Sequence, residues 1–382
     1  MNRRSIIAGL AAGILLAGAD VGRSGQEADS PIVIGNRVSF DSKILGERRQ
    51  LEIYLPGGYE RSDETYPVLY VLDGGWMFQY CVSIVHMMTP NHFPRMIVVG
   101  IPNTDRRRDL DPAAVGRPDA ESGTEKFLRF IRGELFPYVE GKYRANTYRI
   151  LTGHSLAGLF TLYALLKSPE AFAAYIATSP SIASEERSRH FSEIVEARGR
   201  TTWKGRYLYV SGGGSEGPNL RNAIAALERK LKEGLCPDLE WSMDIFEGEG
   251  HVPVKGFYQG LRRLFADWMI SLELLKKADL SEIRRHYEAL SNKHGFKAQV
   301  PAAILASIGR QALTDGKIPE AIKIYEHCVA QYPYEAEGLI YLAEALVKAG
   351  NVQEAIKCYR RALEIDPGRE AAAKALAQLL KK

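Results

Sequence analysis

Between residues 38 and 275, short apolar runs alternate with longer amphipathic stretches. Residues 67–72 (PVLYVL) and 96–101 (MIVVGI) are continuous apolar runs, the pattern of strands buried on both faces. Further strands are predicted over 149–152, 174–178, 206–211 and 240–246, and residues 38–44 and 50–55 read as an opening antiparallel pair. Between them, apolar positions recur at helical spacing over 123–139, 220–232 and 255–274. In the first of these, Phe127, Phe130, Ile131 and Leu135 share one face. This β–α alternation predicts an α/β fold whose mostly parallel, about eight-stranded sheet is covered by helices on both sides.

From residue 302 the chain turns wholly helical and repeats every 34 residues. Gly316, Glu320, Ala321, Ile322, Lys323, Tyr325 and Pro333 recur as Gly350, Glu354, Ala355, Ile356, Lys357, Tyr359 and Pro367. That is the tetratricopeptide period, with small residues where two helices cross. Two repeats are fewer than such arrays usually need to stand alone. The helical segment over 280–291 is therefore expected to extend the stack or dock it on the sheet, and 371–380 to cap it. The expected organisation is a leader at 1–19, a linker at 20–34, an α/β domain at 35–275, a helical connector at 276–301 and an all-α repeat domain at 302–382.

Composition changes this picture little: of 382 residues 46% are hydrophobic and 25% charged, as in ordinary globular proteins. The leader expectation rests on Arg3 and Arg4, the apolar run 6–17 and the Ala17-Gly18-Ala19 cleavage pattern. The run is too short to span a bilayer, and the paired arginines also fit a twin-arginine signal. An exported protein is expected, in a bacterial periplasm, with no membrane span. Without Arg3 and Arg4 the formal charge of +4 falls to about +2, which gives no reason to expect nucleic acid. Cys81, Cys236, Cys328 and Cys358 show no metal-ligand spacing, so no metal site is expected. A disulfide and buried thiols are equally compatible with their number and setting.

Chemistry concentrates in Gly153-His154-Ser155-Leu156-Ala157-Gly158, which follows a predicted strand and opens a predicted helix. A tight turn in that context lifts a serine hydroxyl clear of the sheet, at the positive end of a helix dipole. Ala157 occupies the last glycine place of the G-x-S-x-G pattern, and His154 is expected to point away from the serine. A serine hydroxyl needs a base, and His251 is the best placed of eight histidines, in a glycine-flanked loop after a strand. His86, His92 and His190 come too early, and His286, His294 and His327 belong to the helical tail. The acid that orients the base should follow the strand at 206–211, where Glu216 is the only carboxylate; Asp244, Glu247 and Glu249 are alternatives. The oxyanion hole needs two amides, assigned to Leu156 and to Gly75 in the Asp73-Gly74-Gly75-Trp76 loop, with Asp73 fixing that loop. Arg106, Arg108 and Trp76 are substrate-binding candidates at the same edge, with one arginine pairing Asp109 to shape its loop. The arginine run also reads as a plain solvated face.

These residues resemble the esterase D-like family of α/β-hydrolases. The resemblance covers residues 35–275 and rests on Tyr66-Pro67-Val68-Leu69-Tyr70-Val71-Leu72-Asp73-Gly74, Asn103-Thr104-Asp105-Arg106 and Arg108-Asp109-Leu110. Tyr148-Arg149-Ile150-Leu151-Thr152-Gly153-His154-Ser155, Ser179-Pro180-Ser181 and Gly248-Glu249-Gly250-His251 extend it. Combined with the repeats, it looks most like exported bacterial members grouped with siderophore esterases. The resemblance implies an α/β-hydrolase fold, Ser155 as nucleophile, His251 as base, an acid near Glu216 and no cofactor. The expected activity is hydrolysis of carboxylic esters, including siderophore-type lactones, through an acyl-enzyme. Acyl transfer on the same triad is the alternative within enzymes, and a partner-binding scaffold with an idle hydrolase domain is the alternative outside them. The repeats are expected to bind a protein partner or to self-associate.

Overall fold

The computed structural model describes residues 31–112, 122–184, 187, 202–251 and 253–381. The leader, most of the linker and His190 lie outside them. Among the described residues, eight strands form one sheet in the order β1-β2-β4-β3-β5-β6-β7-β8. β1 (Asn36–Ser42) and β2 (Glu47–Tyr54) pair antiparallel, and β2 pairs antiparallel with β4 (Ile97–Ile101). The rest is parallel: β3 (Tyr66–Leu72), β5 (Ala145–His154), β6 (Ala174–Thr178), β7 (Tyr207–Gly213) and β8 (Glu240–Phe246).

Period-2 geometry explains why β3 is apolar throughout. Leu69 and Val71 enter one core with α1 (Gly74–Met88), while Val68, Tyr70 and Leu72 enter a second core on the other face. That second core is closed by α3 (Gly123–Phe130), α4 (Phe136–Lys142), α5 (Leu156–Lys167) and α6 (Pro218–Lys232). Between them on the chain, α2 (Arg106–Leu110) follows β4. α7 (Pro253–Leu264) lies on the α1 side, against β6 and β7.

Two predicted helices are interrupted. The helix expected over 123–139 widens into a π turn at Ile131–Leu135, where the Phe136 N–H reaches back to the Ile131 carbonyl. Pro137 follows; it has no N–H to give, and its ring would crowd an α-helical carbonyl at position 133, which the wider turn relieves. The helix expected to run to 274 stops at Leu264. A turn pinned by the Trp268 indole N–H on the Pro90 carbonyl (2.9 Å) intervenes, and Ser271 caps a new helix, α8 (Leu272–Lys277).

α9 (Leu280–His294) is capped by Asp279, whose carboxylate accepts from Ser281 and Glu282 N–H. Its buried Ile283, Tyr287, Leu290 and His294 continue the α1-side core, where His294 Nδ1 meets the Tyr148 hydroxyl of β5 at 3.2 Å. The repeats follow as α10 (Ala302–Thr314), α11 (Ile318–Gln331), α12 (Ala336–Lys348) and α13 (Val352–Ile365), with equivalent helices starting 34 residues apart. Ala321 and Ala355, fully buried, sit where the paired helices pack, and α14 (Glu370–Leu379) caps the stack. Ile34 to Lys382 is one compact unit, because the core beneath α1 and α7 runs on without a break into these helices. All four cysteines are thiols, three of them buried.

Candidate active site

The C-terminal ends of β3, β5, β7 and β8 deliver the site. At the end of β5 the chain turns sharply through Ser155, whose φ of 60° and ψ of −118° lie where only a strained non-glycine residue is found. Three hydrogen bonds hold that strain: Ser155 N–H to the Thr178 carbonyl (3.0 Å), Leu159 N–H to the Ser155 carbonyl (3.0 Å) and Ser181 N–H to the same carbonyl (3.0 Å). Gly153 is obligatory, since a Cβ there would lie 2.3 Å from the Ala157 carbonyl oxygen. Ala157 itself is fully buried behind the turn.

Ser155 Oγ hydrogen-bonds Ser181 Oγ at 3.1 Å. Leu156 is the first residue of α5 and Gly75 the second of α1, so both amides belong to helix N-termini, where the first N–H groups have no intrahelical acceptor. Gly75 is exposed and a Cβ there would meet nothing within 4 Å, which leaves its backbone open to a ligand.

His251 and Glu216 meet because two loops close on each other. Gly213 at the end of β7 lies so near the His251 loop that a Cβ would fall 2.3 Å from the Gly250 carbonyl oxygen. The Ser215 N–H to Glu249 carbonyl bond (2.9 Å) ties the same two loops. Glu216 Oε1 then lies 2.8 Å from His251 Nδ1, with the carboxylate side chain 2% exposed and the imidazole 43% exposed. The second carboxylate oxygen is buried and has no hydrogen-bond partner. Two of the three alternative acids are engaged elsewhere. Asp244 takes the Tyr209 hydroxyl (3.1 Å) and Arg263 (2.7 Å), while Glu249 faces Lys255 at 3.4 Å.

His154 packs between two rings of the site. Its buried ring lies with its centroid 4.5 Å from that of His251 and 5.8 Å from that of Trp76. Burial first, and next the His251 ring, push the His154 imidazole down to about 4, against the pull of Asp73. Asp73, fully buried with φ 55°, fixes the loop as expected: it accepts from Arg106 Nε and Nη2 (2.8 Å each) and from Asn103 (2.6 Å). Arg106 is thereby half-committed to the fold, with a side chain 39% exposed.

Arg108 corrects the expectation of a substrate rim. Both its Nη atoms bond Glu47 (3.0 and 2.8 Å), and its Nε bonds Asp109 (2.7 Å), so its charge is consumed internally. The Arg108 hydrogen bond holds the Glu47 carboxyl down to about 2. Asp109 is shared with the fully buried Arg49, which no motif in the chain singles out. Trp76 is 53% exposed at the mouth of the site.

Among the described residues, no cluster of three His, Cys, Asp or Glu side chains is arranged to hold a metal ion, and no helix is long and apolar enough to cross a membrane. A cavity of about 590 Å³ lies away from Ser155, between Arg61–Pro67 and the loops that join the repeat helices. There Arg95 sits between Glu64 (3.8 Å) and Glu335 (3.7 Å), and none of the site residues lines it.

Residues 42–219 match the family model described as "Putative esterase", and residues 312–379 match a tetratricopeptide repeat model. Ferri-bacillibactin esterase BesA of Bacillus subtilis is 37% identical over 139 residues, covering 31% of this chain and 48% of that protein. The siderophore triacetylfusarinine C esterase of Aspergillus fumigatus is 32% identical over 129 residues, covering 30% of this chain and 44% of the other. The chain thus spans about half the length of the curated relatives it matches. Among solved structures, an IroE-like serine hydrolase from Shewanella oneidensis superposes with a TM-score of 0.64 at 26% identity, covering 77% of this chain and 98% of that one.

Proposed function

We propose, from the premise that this chain is an α/β-hydrolase esterase domain followed by tetratricopeptide repeats, that it is an exported serine hydrolase cleaving carboxylic esters. The observation that carries the reading is the 2.8 Å contact between His251 Nδ1 and the buried Glu216 carboxylate, on an imidazole that packs against His154, the residue before the strained Ser155 turn. A buried carboxylate on Nδ1 fixes the tautomer that leaves Nε2 free to accept a proton.

In this mechanism Ser155 Oγ leaves Ser181 and attacks the ester carbonyl while His251 Nε2 takes its proton. The carbonyl π electrons move onto oxygen, which the Leu156 and Gly75 amides receive, each at a helix N-terminus. The imidazolium, held by Glu216, then protonates the departing alkoxide as the C–O bond breaks, leaving an acyl-serine. Water, deprotonated by His251, releases the acid and restores Ser155. Trp76 offers an exposed aromatic face to the substrate, and Arg106 the part of its charge not neutralised by Asp73. The names of the two relatives support a siderophore-type ester as substrate. The repeats supply a surface for a protein partner or for self-association.

The test is steady-state hydrolysis of short acyl aryl esters, feruloyl esters and catecholate trilactones by the wild type and Ser155→Ala. The wild type is expected to turn over at least one class, with a loss of about 10³-fold or more in the variant. Equal activity of the two would remove Ser155 from the chemistry.

A further inference from the structure

We propose that His154 is a positioning residue: its buried ring packs against the imidazole of His251 and holds it in the orientation set by the Glu216 contact. The inference rests on the assignment of Ser155 and His251 made above.

His251 needs such a wall. Its side chain is 43% exposed, and the Glu216 bond anchors one ring nitrogen while leaving the ring free to tilt about that anchor. His154 lies with its ring centroid 4.5 Å away at an interplanar angle of 48°, close enough to bar that tilt. The wall is itself rigid. His154 is 6% exposed, it is the last residue of β5 and pairs there with Thr178, and Arg106 Nη2 approaches its carbonyl at 3.5 Å. Trp76 packs edge-on against its ring at 82°.

The contact works through the face of the ring. His154 Nε2 is buried without a hydrogen-bond partner. The charged or titratable groups that face it are His251, Asp73 and Arg106, and burial followed by His251 keeps it neutral down to about 4. His154 is thus uncharged when His251 receives the serine proton, and no second imidazolium opposes that step. A ring that is neutral and unbonded at Nε2 can be replaced by phenylalanine, which keeps the face, and not by glutamine, which keeps only polarity.

Wild type, His154→Phe and His154→Gln would be compared by steady-state kinetics on an aryl ester and by the low-field NMR resonance of the His251 Nδ1 proton. The Phe variant should keep kcat within about 3-fold, and the Gln variant should lose roughly 10- to 100-fold in kcat with KM within about 2-fold. The proton resonance should stay sharp in the Phe variant and broaden or vanish in the Gln variant. Full activity with a sharp resonance in the Gln variant would overturn the proposal, as would a Phe variant impaired like the Gln one. The resonance needs no substrate: an inactive wild type would count against the esterase reading, and the Phe and Gln spectra alone would then decide the role of His154.

Discussion

Among the described residues the Glu216 carboxylate has one hydrogen-bond partner, His251, and a second oxygen buried with none. In the proposed mechanism this buried carboxylate, costly to desolvate, is there to steady the imidazole as it takes the serine proton. Glu216→Gln keeps the shape and removes the charge. The expected outcome is a fall in kcat of about 10²- to 10⁴-fold with KM little changed, checked by steady-state kinetics on an aryl ester. An unaltered kcat would mean that Glu216 only packs. The meeting of Glu216 with His251 is legible in the sequence, because glycines bracket each loop and chain order does the rest. The contact of His154 with His251 is not legible, since the two lie almost 100 residues apart and meet only in the folded chain. Nor did anything mark Ser181 as a hydrogen-bond partner, because it is set beside Ser155 by the end of β6. Arg108 misled for a different reason. A run of arginines looks solvated until a carboxylate from β2, more than 50 residues earlier, is folded onto it.

α9 joins the repeats to the sheet through groups that water does not reach. His294 sits among Tyr148, Phe265, Trp268 and Phe296, 7% exposed, and burial followed by Lys293 pushes it down to about 4 while Asp267 pulls the other way. An unfolded histidine titrates near 6.5, so between about 6.5 and 4 the unfolded chain binds the extra proton. The stability these groups contribute is present in full above about 6.5 and is lost as the pH falls toward 4, with His154 acting in the same direction. Thermal unfolding should therefore show Tm falling across that window, with a shallower fall in His294→Phe. A Tm rising on acidification, or an identical slope in the variant, would contradict this account of the dock. At this scale the strands were legible because both faces of a central strand must be apolar. The helix interruptions are not legible in the apolar period, although Pro137 and Ser271 stand at them. A helical period shows which face is buried and says little about where a turn widens or restarts.

For the molecule as a whole, the two sequence periods suggested two halves, and the structure joins them through one core. Trp268, Tyr287 and Phe296 belong to the same cluster as Leu69, Val71 and Phe257 beneath the sheet, and it extends to Leu305 and Tyr325 in the repeats. The Val300 carbonyl is held from α11 by Gln331 (2.6 Å) and from the following residue, Tyr332 (2.8 Å). Ending the chain after residue 275 would strip the cover from Phe265, Trp268 and Tyr148. The truncated protein is expected to aggregate or to unfold at a lower temperature than the full chain, measured by size-exclusion chromatography and thermal melts. A monodisperse product of equal Tm would make the repeats an independent module.

The central claim is that Ser155 is an activated nucleophile, and covalent labelling by a fluorophosphonate tests it most directly. Mass spectrometry of the labelled chain should place a single adduct on the Ser155 peptide, absent in Ser155→Ala and slow to form in Glu216→Gln. A wild-type protein that fails to react, or that carries its adduct on another residue, would contradict the account.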